Sequence, residues 1–403
     1  MREMFKHEDF RFGFEIVLGS TYRGYADVGE VLATAERVKD GDADAWVREW
    51  GTTAERLEAD ARAAEGAGHQ VSARGLYLRA ANYLSTGLYL ITHSSAPERQ
   101  LELWKRHRAC WDKVVDLSAP PGERLQIPYE GTTLPGYFFR APDAGPGERR
   151  PLVVLNNGSD GPTSHMGLFG GWAALERGYH AMTFDGPGQQ AALFLQGIGF
   201  RHDWEAVLTP VVDAMVARPD VDPGRLAVIG VSQAGYWVPR ALAFEHRFVA
   251  AVADPGVVDV STSWTKPLPG FMRAQLQDPS KKESFDKEMG WTERLSKSTR
   301  ATLHFRGEPY GVKGGSRWDL YREVLKYRLG DEAKDIATPL LITEPEDEQF
   351  WPGQSQALYD RLSGLRELVR FTAAEGASRH CEPMGLAVRD ARVFDWLGRY
   401  LQP

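Results

Sequence analysis

The chain has 403 residues, 42% hydrophobic and 26% charged, which suits one large globular domain with an addition. Its net charge of -7, with no Lys/Arg cluster, excludes a nucleic-acid or anionic-membrane surface, and no apolar run nears the roughly 20 residues that span a bilayer. The first ten residues carry charges where a secretory leader is apolar, and Cys110 and Cys381 resemble neither a disulfide framework nor a metal-ligand set, so a reducing, cytoplasmic setting is expected.

Residues 1–120 read as an N-terminal helical domain. Trp46, Trp50, Leu57, Ala61 and Ala64 recur at helical spacing. A second segment, Leu76 to Leu90, is apolar nearly all round, which suits a helix buried in a bundle or at a subunit contact. A third runs from about Pro97 to Leu117 and stops at Ser118-Ala-Pro-Pro-Gly, a boundary signal.

From residue 121 to 259 strands alternate with helices. Leu125–Tyr129 and Pro135–Arg140 suggest a hairpin, and Pro151–Asn156, His180–Asp185, Leu226–Ile229 and Phe248–Ala253 are short apolar strands. Such alternation implies a mostly parallel sheet with right-handed crossovers. Residues 260–335 break the rhythm: they are polar yet carry Trp264, Phe271, Trp291, Phe305, Tyr310 and Trp318, and read as a cap insertion. Residues 336–403 resume the sheet, with strands at 338–343 and 366–371 and a closing helix at about Arg389–Leu401.

The chemistry centres on Gly230-Val231-Ser232-Gln233-Ala234-Gly235, which follows a strand and precedes a helix. It is close to the G-x-S-x-G elbow, whose sharp turn lifts a serine hydroxyl clear of the backbone. A serine nucleophile needs a base, and the base an orienting acid; on such a sheet the chain order is serine, acid, histidine. His380, in the small-residue loop before the last helix, is the expected base. The acid lies in the loop Glu344-Pro-Glu346-Asp347-Glu348. Asp347 is preferred because it stands a few residues into the loop, before Phe350-Trp351-Pro352, with Glu348 and Glu346 behind it.

Oxyanion donors are expected at the N–H of Gln233 and, from the glycine-containing loop after the first central strand, the N–H of Ser159. Asp185, in Phe184-Asp-Gly-Pro-Gly-Gln189, reads as a framework acid. His165, Tyr236, Trp237 and His304 are candidate pocket residues, each of which ordinary packing or surface exposure explains equally well. No metal-ligand spacing is present, so neither metal nor cofactor is expected.

These residues resemble the α/β-hydrolases with an N-terminal helical domain, similar to 2,6-dihydroxypseudooxynicotine hydrolase and the fungal yellowish-green-type polyketide hydrolases, with FrsA-like esterases more distant. The resemblance rests on Tyr77-Leu-Arg-Ala-Ala-Asn-Tyr83, Asn157-Gly-Ser-Asp-Gly161, Phe184–Gln189, Gly230–Gly235, Glu346-Asp-Glu-Gln-Phe350 and the His380 loop. It implies a Ser232-Asp347-His380 triad and cleavage of a carbon–carbon bond beside a ketone, or of an ester, in a small aromatic or polyketide-like substrate. It also implies a lid over Ser232 formed by the helical domain and the insertion; some members are dimers, so a homodimer is the candidate assembly. The departures are Gln233-Ala234 after the serine and Pro162-Thr-Ser-His165 after the oxyanion loop. General carboxylesterase, acyl-peptidase and acyltransferase activities are the alternatives; a non-catalytic binding protein is the remote one.

Overall fold

The apolar runs that lack helical periodicity pair into one sheet. Its strands are β1 (Glu123–Tyr129), β2 (Thr132–Phe139), β3 (Arg150–Asn156), β4 (His180–Phe184), β5 (Val221–Val231), β6 (Phe248–Asp254), β7 (Leu340–Pro345) and β8 (Arg366–Phe371). Their spatial order is β1-β2-β4-β3-β5-β6-β7-β8. β2 runs antiparallel to β4, and the pairings from β4 through β3, β5, β6 and β7 to β8 are parallel. β3, β4, β6, β7 and the second half of β5, from Leu226, are buried almost throughout, as a sheet covered on both faces requires.

This computed structural model describes residues 4–402. The chain forms two compact units, Met1–Glu123 with Pro383–Ala387, and Arg124–Glu382 with Val388–Pro403. The first is helical: Glu8–Gly19, Val28–Ala35, Ala43–Gly66, Gln70–Leu88 and Gln100–Asp116. Gln70–Leu88 packs between Ala43–Gly66 and Gln100–Asp116, which accounts for its apolar circumference. Trp46, Trp50 and Tyr83 are fully buried here, and the Trp46 indole N–H donates to the Thr86 carbonyl.

The second unit is the α/β body. Parallel pairing sets the C-terminal ends of β5, β6, β7 and β8 along one edge, where an open α/β sheet places its ligand-handling loops. Between β6 and β7 the insertion folds into helices, chiefly Lys282–Leu295, Lys297–Gly307 and Arg317–Val324. Its polar sequence still supplies a buried set, Phe285, Met289, Tyr310, Leu320, Tyr321 and Val324, continuous with the apolar core of the sheet. Among the described residues no helix is long and apolar enough to cross a membrane.

Candidate active site

β5 ends at Val231, and Ser232 turns out of the strand with φ 61°, the left-handed conformation a non-glycine residue seldom adopts. The turn is tight on both sides. A Cβ on Gly230 would lie 2.4 Å from the Ala234 carbonyl oxygen, and one on Gly235 would lie 1.8 Å from that of Pro255. The Ser232 N–H donates to the Asp254 carbonyl at the end of β6, 2.6 Å away, which anchors the elbow to the neighbouring strand. Helix Ala234–Leu242 then starts directly behind the serine.

His380 Nε2 lies 2.9 Å from Ser232 Oγ, and His380 Nδ1 lies 2.8 Å from Glu348 Oε2. A carboxylate only accepts, so Nδ1 carries the ring proton and Nε2 is free to accept from the serine hydroxyl. The imidazole packs edge-on against Phe350 at 4.8 Å and beside Trp351 at 5.6 Å between ring centres. These rings leave His380 only 5% exposed and fix its plane.

The partner of His380 is therefore Glu348, and the expected Asp347 does not fill that place. The loop after β7 curls so that the Glu348 carboxylate turns back on its own chain, accepting the N–H groups of Phe350 at 2.8 Å and Trp351 at 3.0 Å. Asp347 gives its backbone N–H to the Ser378 carbonyl, and its side chain is exposed. The turn closed by the Glu348 N–H on the Pro345 carbonyl carries Glu348 inward and leaves Asp347 outside. Burial pushes the Glu348 carboxyl up, but the charge and hydrogen bond of His380, helped by the Trp351 and Phe350 N–H groups, hold it below the ordinary glutamate range.

The loop after β3 lies against the serine. A Cβ on Gly158 would stand 2.6 Å from Ser232 Cβ and 3.1 Å from Oγ. The Gly158 N–H is taken by Asn157 Oδ1 at 2.8 Å, whereas neither the Ser159 nor the Gln233 N–H has an acceptor among the described residues. Gln189 braces this loop: its side-chain NH2 donates to the Asn157 and Gly158 carbonyls, both at 2.7 Å, and its oxygen accepts from the Gly186 N–H. Asp185 accepts from the Thr163 hydroxyl and the Ala191 N–H, a framework acid.

Two of the four candidate pocket residues belong to the core. Trp237 is fully buried, stacks on Trp204 at 4.2 Å and donates to the Arg201 carbonyl. The Tyr236 hydroxyl donates to the His202 carbonyl. Both rings lie in the buried apolar core. His304 is exposed on Lys297–Gly307 with no hydrogen bond or ring contact to Ser232, Glu348 or His380. His165 is buried in the turn after the β3 loop, its N–H on the Pro162 carbonyl. The insertion does reach the elbow, but through Tyr310, whose hydroxyl lies 3.5 Å from Gln233 Oε1. Tyr310 packs edge-on against Trp264 at 5.5 Å, and the Arg306 guanidinium lies over the Trp264 ring at 4.9 Å.

The profile of the prolyl oligopeptidase family matches residues 208–309, which carry the elbow and the first part of the insertion. Over almost its whole length the chain is similar to fungal hydrolases. It is 30% identical to hydrolase LUC6 of a Fusarium species, across 98% of this chain and 97% of that one. It is 34% identical to 20-hydroxy-prefusarin hydrolase FUS2 of Gibberella moniliformis, with the same coverage, 98% and 97%. The chain belongs to their α/β-hydrolase family. Among solved structures, 2,6-dihydroxy-pseudo-oxynicotine hydrolase shares the fold, with a TM-score of 0.70 and 20% identity over 95% of each chain. In this hydrolase Ser232 stands on the elbow after β5, Glu348 in the loop after β7 and His380 in the loop after β8.

Proposed function

We propose that the protein is a serine hydrolase that cleaves a carbon–carbon bond beside a ketone, or an ester, in a small aromatic or polyketide-like substrate. The observation that carries this reading is the chain of contacts from Ser232 Oγ through His380 to Glu348, 2.9 Å and 2.8 Å. Ser232 adds to the substrate carbonyl carbon while His380 Nε2 takes the hydroxyl proton and Glu348 stabilises the imidazolium. The free N–H groups of Ser159 and Gln233 are the donors for the oxyanion.

Collapse of the tetrahedral adduct breaks the bond to the leaving group, whose electron pair takes the proton held on His380. For an ester the proton goes to oxygen; for a β-diketone or aryl ketone it goes to the carbon of the released enolate or arene. Water, deprotonated by His380, then frees the acyl group from Ser232. The relatives named for 20-hydroxy-prefusarin and 2,6-dihydroxy-pseudo-oxynicotine support a small-molecule substrate. The Tyr310–Gln233 contact supports a cap close to the nucleophile, which favours small substrates over folded chains. The prolyl oligopeptidase profile keeps an acyl-peptidase as the second reading.

A fluorophosphonate probe should label the wild type and not Ser232→Ala. Purified enzyme should then turn over members of a panel of β-diketones, aryl ketones and aryl esters and leave acyl-peptides intact. Labelling of Ser232→Ala as strong as wild type would remove the nucleophile assignment, and turnover of acyl-peptides alone would favour the second reading.

A further inference from the structure

Beneath the elbow lies a group of charges that the reaction does not use. Asp254, Glu382 and Arg389 are fully buried. Arg389 Nε lies 2.6 Å from Asp254 Oδ2 and 3.7 Å from Glu382 Oε2, and Arg389 Nη1 lies 3.6 Å from Asp390. Both Glu382 oxygens are buried without a hydrogen-bond donor, and the carboxyl shares the Arg389 Nε with Asp254. Two carboxylates repel; two carboxyls hydrogen-bond only when one carries a proton. Arg389 already balances Asp254, so a second negative charge here would be buried without compensation.

Asp254 joins four segments. Its carbonyl accepts the Ser232 N–H at 2.6 Å and the Cys381 thiol at 3.3 Å. Its carboxylate accepts from Arg389 and from the Thr343 hydroxyl of β7 at 2.9 Å. Cys381 and Glu382, directly after His380, have φ of 58° and 49°, a conformation non-glycine residues hold only when their surroundings impose it. The Arg389 side chain shared by Asp254 and Glu382 is one such constraint.

We propose that Glu382 is a positioning residue of the Ser232–His380 pair: as a neutral carboxylic acid it donates its proton to Asp254 and ties the His380 loop to the strand end that anchors Ser232. This rests on Ser232 and His380 being the reacting pair. Burial is the main cause that keeps the proton on Glu382, and the Asp254 and Glu348 charges act in the same direction against Arg389. Cys381 also faces the cluster, its thiol pushed well up by burial. Ionisation of Glu382 at alkaline pH would break the contact.

The test compares Glu382→Gln and Glu382→Ala with wild type. Infrared spectra in D2O at neutral pH should contain a buried carboxylic-acid C=O band that Glu382→Gln lacks. The glutamine amide replaces the donor and cannot ionise, so kcat should stay within about threefold of wild type and its alkaline decline should move to higher pH. Glu382→Ala should lower kcat and the rate of fluorophosphonate labelling at least tenfold, with KM within threefold. Absence of the band, a glutamine variant as impaired as the alanine one, or superimposable pH profiles for wild type and Glu382→Gln would each overturn the proposal. If Glu382→Ala does not fold, the band and the glutamine profile decide. A wild type that resists the probe would overturn the nucleophile reading alone, and the band would still decide where the proton sits.

Discussion

Glu348 and His380 meet at 2.8 Å in a setting where both side chains are 6% exposed, while Asp347, one residue earlier, faces solvent. The two acids should therefore separate cleanly on mutation. Glu348→Gln should lower kcat on the order of a thousandfold to ten-thousandfold, because the amide cannot stabilise the imidazolium and favours the wrong tautomer. Asp347→Asn should stay within about threefold of wild type. Steady-state kinetics on any substrate found in the panel checks both, with circular dichroism to confirm folding.

Gly158→Ala should abolish most activity without unfolding the protein. The added methyl would overlap Ser232 Cβ and crowd Oγ. Either the serine rotates off His380 or the β3 loop withdraws its N–H groups, and loss of one oxyanion donor costs roughly a hundredfold in kcat. A variant with kcat within threefold of wild type would mean that the loop does not sit where the carbonyl reacts.

Gln189→Leu removes three hydrogen bonds that hold the β3 loop, two to carbonyls and one from the Gly186 N–H. The buried partners lose their acceptor or donors, at about 1–3 kcal/mol of stability for each group left unsatisfied. The expected result is a lower urea midpoint together with a fall in kcat that exceeds any rise in KM. Equilibrium unfolding and initial-rate measurements read the two effects separately.

The helical unit should carry its own acid sensitivity. His107 is buried with Nδ1 2.8 Å from the Ala81 carbonyl, and burial brings its pKa down to about 4. The unfolded chain, with an ordinary histidine near 6.5, binds the proton first, so stability is full above that value and falls as pH drops toward 4. The loss is on the order of 3 kcal/mol over that window. His107→Gln should flatten the dependence, and urea midpoints measured between pH 7 and 4 would test it.

Much of the body could be read from the sequence. Strands such as Phe248–Asp254 and Leu340–Pro345 are short apolar runs bounded by turn residues, and they fall where pattern places them. Ser232 and His380 were legible because each depends on a local signal, a small-residue turn and a loop before the last helix. The acid was not, because the choice between Asp347 and Glu348 turns on which way a curled loop points its side chains. A signal was present: an acid two and three residues before Phe350 and Trp351 can accept their N–H groups and so fold back toward the sheet edge. Tyr236 and Trp237 lie in the core, and their place was not legible because adjacency to the serine in sequence says nothing of which side of the helix faces the core. The Asp254–Glu382–Arg389 group had no local signature, since its members lie far apart in the chain and are joined only by the sheet.

The insertion leaves the sheet after β6 and returns at β7, two strands paired side by side through Ala251–Leu340 and Ala253–Ile342. For the sheet, the excursion is a connection between two fixed strand ends, and the closure cost of a connection grows only with the logarithm of its length, although this one also shares its buried side chains with the core. The segment can thus be shortened, lengthened or exchanged between relatives while Ser232, Glu348 and His380 stay on strand ends that never leave register. Tyr310 against Gln233, Trp351 on the Val260 carbonyl and the shared core are where such an exchange would be felt, so a transplanted cap has to keep those contacts to change what the hydrolase accepts without rebuilding how it reacts.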